Sequence, residues 1–286
     1  MSGLAVVGGY ALREALRRRV FVVVLVLTAA FLALYAFGVD QAFEETQNLE
    51  FEASEAGVDT TTLAGATVFG LAMFAILFLG AILAVFLTLG VVRGDADRGL
   101  LQPLVVRPIG RSTLLLGRFA GAALASTLYV GVVYVAALLL TGAAGGWYPD
   151  RVVMPALELA AAVAILAALS LLGSIFLSGT ANGIAVFMVL GAGLTAGFLG
   201  QIGEALNSDT LLDIARIASW VLPFEALYQD ALTELTADTG GLTKAVVDLG
   251  PFGGAQSAGP WLWPWAAAYL VIVGAVALRA FGRKDL

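Results

Sequence analysis

Ala66-Thr-Val-Phe-Gly-Leu-Ala-Met-Phe-Ala-Ile-Leu-Phe-Leu-Gly-Ala-Ile-Leu-Ala-Val-Phe-Leu-Thr-Leu-Gly-Val-Val92 runs for 27 residues without a charge. At about 1.5 Å of rise per residue, roughly 20 apolar residues cross a hydrocarbon layer about 30 Å thick. Only a helix satisfies every backbone N–H and C=O within one such segment. Five further stretches qualify, which places spans near Val20–Val39, Leu114–Leu140, Met154–Leu177, Gly183–Ile202 and Trp261–Phe281. The expected fold is all-α: one polytopic domain over residues 1–286 with six transmembrane helices.

Composition agrees. Of 286 residues, 60% are apolar and 13% charged, with no cysteine and no histidine. A soluble domain of this size carries about 25% charge. Without Cys or His, thiol catalysis, His-based triads and zinc or haem ligation through those residues have no chemical basis. The chain is read as a non-enzyme with no metal site; its four methionines are the only soft ligands.

Basic residues are retained on the cytoplasmic side of a membrane. Threading six spans from a cytoplasmic N-terminus puts Arg13, Arg17, Arg18, Arg19, Arg93, Arg98, Arg107, Arg111, Arg118, Arg279, Arg283 and Lys284 on one side, 12 of the 15 basic residues. Four acidic residues share that side and 17 lie opposite or, for Glu158, within a span, giving +8 inside and −14 outside. Both termini are therefore expected in the cytoplasm of a multi-pass plasma-membrane protein. Arg18-Arg19 ahead of an apolar run is also reminiscent of an export signal, but the run exceeds the 7–15 residues or so of a signal core. An uncleaved anchor is expected.

Ahead of the first span, residues 4–19 alternate an apolar stripe (Leu4, Val7, Ala11, Leu12, Ala15, Leu16) with Arg13, Arg17 and Arg18. That pattern predicts an amphipathic helix at the inner headgroups. Asp40–Gly65, with seven carboxylates and no basic residue, is expected to be a solvated acidic loop. The outer segment 203–260 differs: Leu211, Leu212, Ile214, Ile217, Ala218 and Val221 recur at helical spacing up to Pro223, followed by Phe224, Leu227, Tyr228, Ala231 and Leu235. Two pieces of about 12 residues are too short to cross, so short re-entrant or interfacial helices are expected between spans five and six. Glu158 is the one charge inside a span, and snorkelling or pairing with Arg151 is its expected state. Thr88, Thr127, Ser170, Ser174, Asn182, Thr195 and Gln201 are expected to bond between helices, and Gly193-x3-Gly197 to pack internally.

The loop between spans two and three, Arg93-Gly-Asp-Ala-Asp-Arg-Gly-Leu-Leu-Gln-Pro-Leu-Val-Val-Arg-Pro-Ile-Gly-Arg111, mixes charge with an apolar patch, where a plain connector would be short and polar. It resembles the inner loop of the permease subunit of a type-2 ABC exporter. In that resemblance Asp95 stands where the family has an acidic residue, Gly99 is the glycine, Leu101 and Leu104 are the apolar positions, and Arg107, Pro108 and Arg111 belong to the closing element. Leu222-Pro223-Phe224-Glu225-Ala226-Leu227-Tyr228 also looks familial. The resemblance implies an exporter permease that docks a separate ATP-binding subunit through this loop and pairs with a second permease copy or a paralogue. Asp95 for glutamate, Leu100 for the commoner threonine, and Pro103 depart from the pattern.

A phosphate-binding loop needs glycines followed by Lys-Ser/Thr, and neither Lys244 nor Lys284 follows a glycine. ATP and Mg are thus expected on the partner subunit, with no cofactor on this chain and no nucleic-acid partner. Under this reading the hairpin Leu211–Leu235 forms an outer gate, with Trp220, Pro223, Phe224, Glu225 and Tyr228 as its candidate residues. An ion-coupled secondary transporter would need an inverted repeat, which is not evident; a non-transporting membrane scaffold is the other alternative.

Overall fold

The computed structural model describes residues 19–55, 57–89, 110–248 and 255–283. Nine α-helices occur among the described residues: α1 (Arg19–Glu55), α2 (Thr60–Thr88), α3 (Arg111–Gly145), α4 (Val153–Phe176), α5 (Gly179–Leu206), α6 (Asp209–Val221), α7 (Pro223–Thr233), α8 (Gly241–Asp248) and α9 (Leu262–Gly282). Six of them, α1 to α5 and α9, are long and apolar enough to cross a membrane.

Burial sorts these six. Within the most apolar stretch of each, 67% of α2 and 61% of α4 is buried, against 22% for α1 and 22% for α9. An apolar helix covered all round belongs in the core, so α2 and α4 form the centre. They pack on each other and on α3, with α1 against α2 and α3, and α9 against α4. Helix α1 turns Val24, Tyr35, Val39 and Phe43 inward and leaves Val22, Val26, Leu34 and Phe37 exposed. In a bilayer that exposed apolar stripe meets lipid.

The expected loop at 40–65 is corrected. Helix α1 continues to Glu55, and α2 begins only five residues later at Thr60. No proline or glycine interrupts residues 39–55, and Phe43 extends the buried row Tyr35–Val39 at i+4 spacing. The ring of Phe43 lies on Gly145 of α3, where a Cβ would overlap it. Asp59 then starts α2, its Oδ1 accepting from the N–H groups of Thr61 at 3.0 Å and Thr62 at 3.2 Å. Such a cap contributes about 1 kcal/mol.

Polar pairs tie the spans together. Thr88 Oγ1 donates to Ser170 Oγ at 2.7 Å, and Asn182 Nδ2 donates to the Ser170 carbonyl at 2.8 Å, linking α2, α4 and α5. Tyr35 and Thr141 meet at 2.6 Å, and Thr28 and Tyr129 at 2.5 Å, joining α1 to α3. The hydroxyls of Thr127, Ser174 and Thr195 bond instead to carbonyls of their own helices, as Ser and Thr side chains in helices can.

At one end of the bundle Leu115, Leu171, Ile175, Ala277 and Phe281 clamp α3, α4 and α9 together. The opposite end carries α6, α7 and α8. There the segment after α3 pairs by backbone with the turn after α7: Asp150 N–H donates to the Leu235 carbonyl at 3.1 Å and Arg151 N–H to the Glu234 carbonyl at 3.2 Å. Asp150 Oδ2 accepts from the Asp238 N–H at 2.8 Å. Helix α8, absent from the sequence expectation, reaches back so that Thr243 Oγ1 accepts from the Asp59 N–H at 2.9 Å. Four hydrogen bonds thus tether residues 234–243 to the segments just before α2 and α4.

Candidate functional site

Helix α5 carries glycine at 193, 197, 200 and 203, a spacing that puts all four on one face. The α6–α7 hairpin lies in the resulting groove. A Cβ on Gly193 would approach the Phe224 ring at 2.8 Å, one on Gly203 would meet Leu211 Cβ at 3.0 Å, and one on Gly197 would overlap Glu225 Oε1 and Gln229 Nε2. The Gly193-x3-Gly197 pair therefore seats the chain's own hairpin. Close approach of this kind is what small residues permit where two helices meet in a membrane.

Local sequence sets the hairpin. Asn207, at φ 50°, ends α5 in the left-handed conformation that Asn tolerates. Leu222 separates α6 from α7, and Pro223 occupies the first turn of α7, where its missing N–H costs nothing. Helix α7 is covered nearly all round: Phe224, Glu225, Ala226, Leu227, Tyr228, Gln229, Ala231 and Leu232 are all buried, and it packs mainly on α4. Helix α6 buries only Ala215 and exposes Ile217, Trp220 and Val221.

Between α5, the hairpin and the start of α9 lies a cavity of about 620 Å³. Trp220, Trp261 and Trp265 form its aromatic wall, Glu225 and Gln229 line it beside Gly197, and Arg216 also borders it. Trp220 and Trp265 stand 5.5 Å apart with ring planes at 58°, and Trp265 Nε1 donates to the Trp220 carbonyl at 2.9 Å. That bond fixes the indoles relative to each other across the α6–α9 junction. Arg216 has its own counter-ion, Asp213 at 3.3 Å, with both side chains largely exposed.

Glu225 is 3% exposed and Gln229 8%. The Oε1 atoms of both find no hydrogen-bond donor among the described residues. Burial pushes the Glu225 carboxyl up to about 7, with the Gln229 amide one turn on pulling against the shift. An uncompensated carboxylate in low dielectric is costly unless a cation or a proton neutralises it. Tyr228, 3% exposed, is also raised by burial, and the Glu225 charge adds to that. It lies outside the cavity wall.

Of the predicted gate residues, Trp220 and Glu225 line this cavity; Pro223, Phe224 and Tyr228 hold the hairpin in place behind it. Sequence reasoning missed Gln229, Trp261 and Trp265 as lining residues. The i+4 spacing of Glu225 and Gln229 was the available signal, and Trp265 had none beyond its place in the last span. Glu158 is corrected: it is completely buried in α4 near Asp230, Glu234 and Trp263, and Arg151 pairs with Asp238 at 3.3 Å instead. The backbone pairing of residues 150–151 with 234–235 carries Arg151 toward Asp238, which is why it does not reach Glu158. Asp95, Gly99, Leu101, Leu104, Arg107 and Pro108, and the elbow residues Arg13, Arg17 and Arg18, lie outside the described residues. Arg111 begins α3.

A family model described as ABC-2 family transporter protein matches residues 10–286. No curated protein matches the chain.

Proposed function

Because this chain belongs to the ABC-2 transporter family and is a membrane permease component of an ABC transporter, we propose that it is an exporter subunit driven by a separate ATP-binding subunit. The observation that carries this reading is the match of the family model over residues 10–286. Two permease copies, or this chain and a paralogue, enclose the path. The loop from Asp95 to Arg111, with Leu101 and Leu104 as its apolar contacts, and the elbow helix with Arg13, Arg17 and Arg18 receive force from the ATPase. The charge asymmetry supports this orientation: +8 on the face with the loop and both termini, −14 on the hairpin face. ATP and Mg stay on the partner subunit, and the bilayer is the cell membrane.

On this reading the hairpin end is the outer end. The α6–α7 hairpin, seated in the glycine groove of α5 and buried against α4, acts as an outer gate that must shift when substrate leaves. With no native cysteine, a single introduced thiol is unique. Leu101→Cys labelled with a photo-crosslinker is expected to capture the ATP-binding subunit in membranes, and a thiol placed on the exposed face of α6 to capture none. Equal capture from both positions would defeat the docking assignment.

A further inference from the structure

We propose that the cavity between α5, the α6–α7 hairpin and α9 binds the ammonium group of an organic cation, with the Glu225 carboxylate as counter-ion and Trp220, Trp261 and Trp265 around its apolar substituents. The site deepens the permease reading by naming a substrate class, and as a transport site it rests on that reading.

The ligand's charge follows from Glu225. Its Oε1 has no donor among the described residues although it is buried beside a cavity, so a cation in the cavity supplies what the fold leaves out. The ligand's organic character follows from the rest of the lining. A bare metal ion demands several oxygens at short range, about six for calcium or magnesium, typically with more than one carboxylate, whereas Glu225 is the one carboxylate in this lining and shares it with three indoles. Indole faces attract cations, most strongly when water is displaced, and rings set at an angle surround an alkylated ammonium group. Trp220 and Trp265, inclined at 58°, form such a corner rather than a flat platform.

Arg216 opposes a cation in its vicinity, but its charge is shared with Asp213 in an exposed pair and is weakened by solvent. It favours a ligand whose ammonium lies at Glu225 and whose opposite end is neutral or anionic. The ammonium could arrive on a free amine or on a lipid headgroup; the chemistry at Glu225 is the same. A net charge of −14 on the hairpin face concentrates cations of either source.

The test uses the full chain in phosphatidylglycerol nanodiscs, read by tryptophan fluorescence, because three of the five tryptophans line the cavity. Benzyltrimethylammonium is titrated against the near-isosteric neutral alcohol 2-methyl-1-phenyl-2-propanol. Saturable binding of the cation, weaker by about tenfold or more for the alcohol and for Glu225→Gln, is expected. Glu225→Gln keeps the side-chain size, and a single cooperative unfolding transition shows that it folds. Arg151→Ala, which removes an exposed charge outside the cavity wall, is expected to bind the cation as wild type does. Equal binding of cation and alcohol, indifference to Glu225→Gln, or loss of binding in Arg151→Ala each overturns the proposal. Competition by phosphatidylethanolamine added to the discs assigns the ammonium to a lipid, and its absence assigns it to a free amine; both uphold the site. No ATP-binding subunit is present, so failure here removes the site alone. A chain that binds the cation yet recruits no ATPase removes the permease coupling alone.

Discussion

Substituting Gly193 by alanine tests whether the hairpin is truly seated on α5. The added methyl would sit 2.8 Å from Phe224 Cζ and 2.9 Å from Cε2, and that ring is completely buried. Forcing a methyl into such packing costs roughly 1–3 kcal/mol. Replacing a helical glycine by alanine returns about 0.5–1 kcal/mol. The net expectation is a loss of about 1 kcal/mol. Gly191, two residues earlier, has nothing within 4 Å of its would-be Cβ, so Gly191→Ala should be neutral or stabilising by the helix term alone. The assay is unfolding of the purified chain by SDS titration in mixed micelles. Adding Phe224→Leu should relieve the clash, making the double variant more stable than the sum of the singles by about 1 kcal/mol. If Gly193→Ala matches Gly191→Ala, or the two substitutions add independently, the groove reasoning is wrong.

Asn182→Leu should cost about 1 kcal/mol in the same assay, because the amide holds Ser170 across the α4–α5 contact and interhelical hydrogen bonds in membranes are worth about that much. For Glu225, held near 7 against an ordinary 4.5, the unfolded state loses its proton first as pH rises. Stability therefore falls through that window, by on the order of 3 kcal/mol in total. Unfolding between pH 4 and 8 should show a larger drop of that sign in wild type than in Glu225→Gln, and parallel profiles would contradict the burial. Arg151→Ala should change stability by less than about 0.5 kcal/mol, since its pair with Asp238 is solvated. Asp150→Ala should cost about 1 kcal/mol through the lost bonds to Asp238 N–H and Thr239.

Span existence was readable because the membrane imposes a length and an apolarity that a single segment must meet alone. Span ends were harder. The helix from Val39 to Glu55 is polar enough to read as a loop, and only the row Tyr35–Val39–Phe43 meeting α3 explains why it stays helical. The two short helices around Pro223 were legible from periodicity and the proline break, whereas α8 is eight residues long and depends on tertiary contacts with Asp59 and Thr236. Arg151 illustrates the limit for the site. Its sequence neighbour in charge is Glu158, one turn or two away, yet long-range backbone pairing delivers Asp238. The cavity was invisible in the sequence for the same reason, since its wall joins α5, α6, α7 and α9 across more than 60 residues.

The central claim is that this permease transmits force from a separate ATPase through residues 95–111. ATP hydrolysis by the partner subunit, measured in proteoliposomes with and without this chain, tests it most directly. Wild type is expected to change the hydrolysis rate, and Leu101→Asp or Leu104→Asp to abolish that change while inserting normally. An ATPase indifferent to the wild-type chain, or coupled equally well to the aspartate variants, would contradict it.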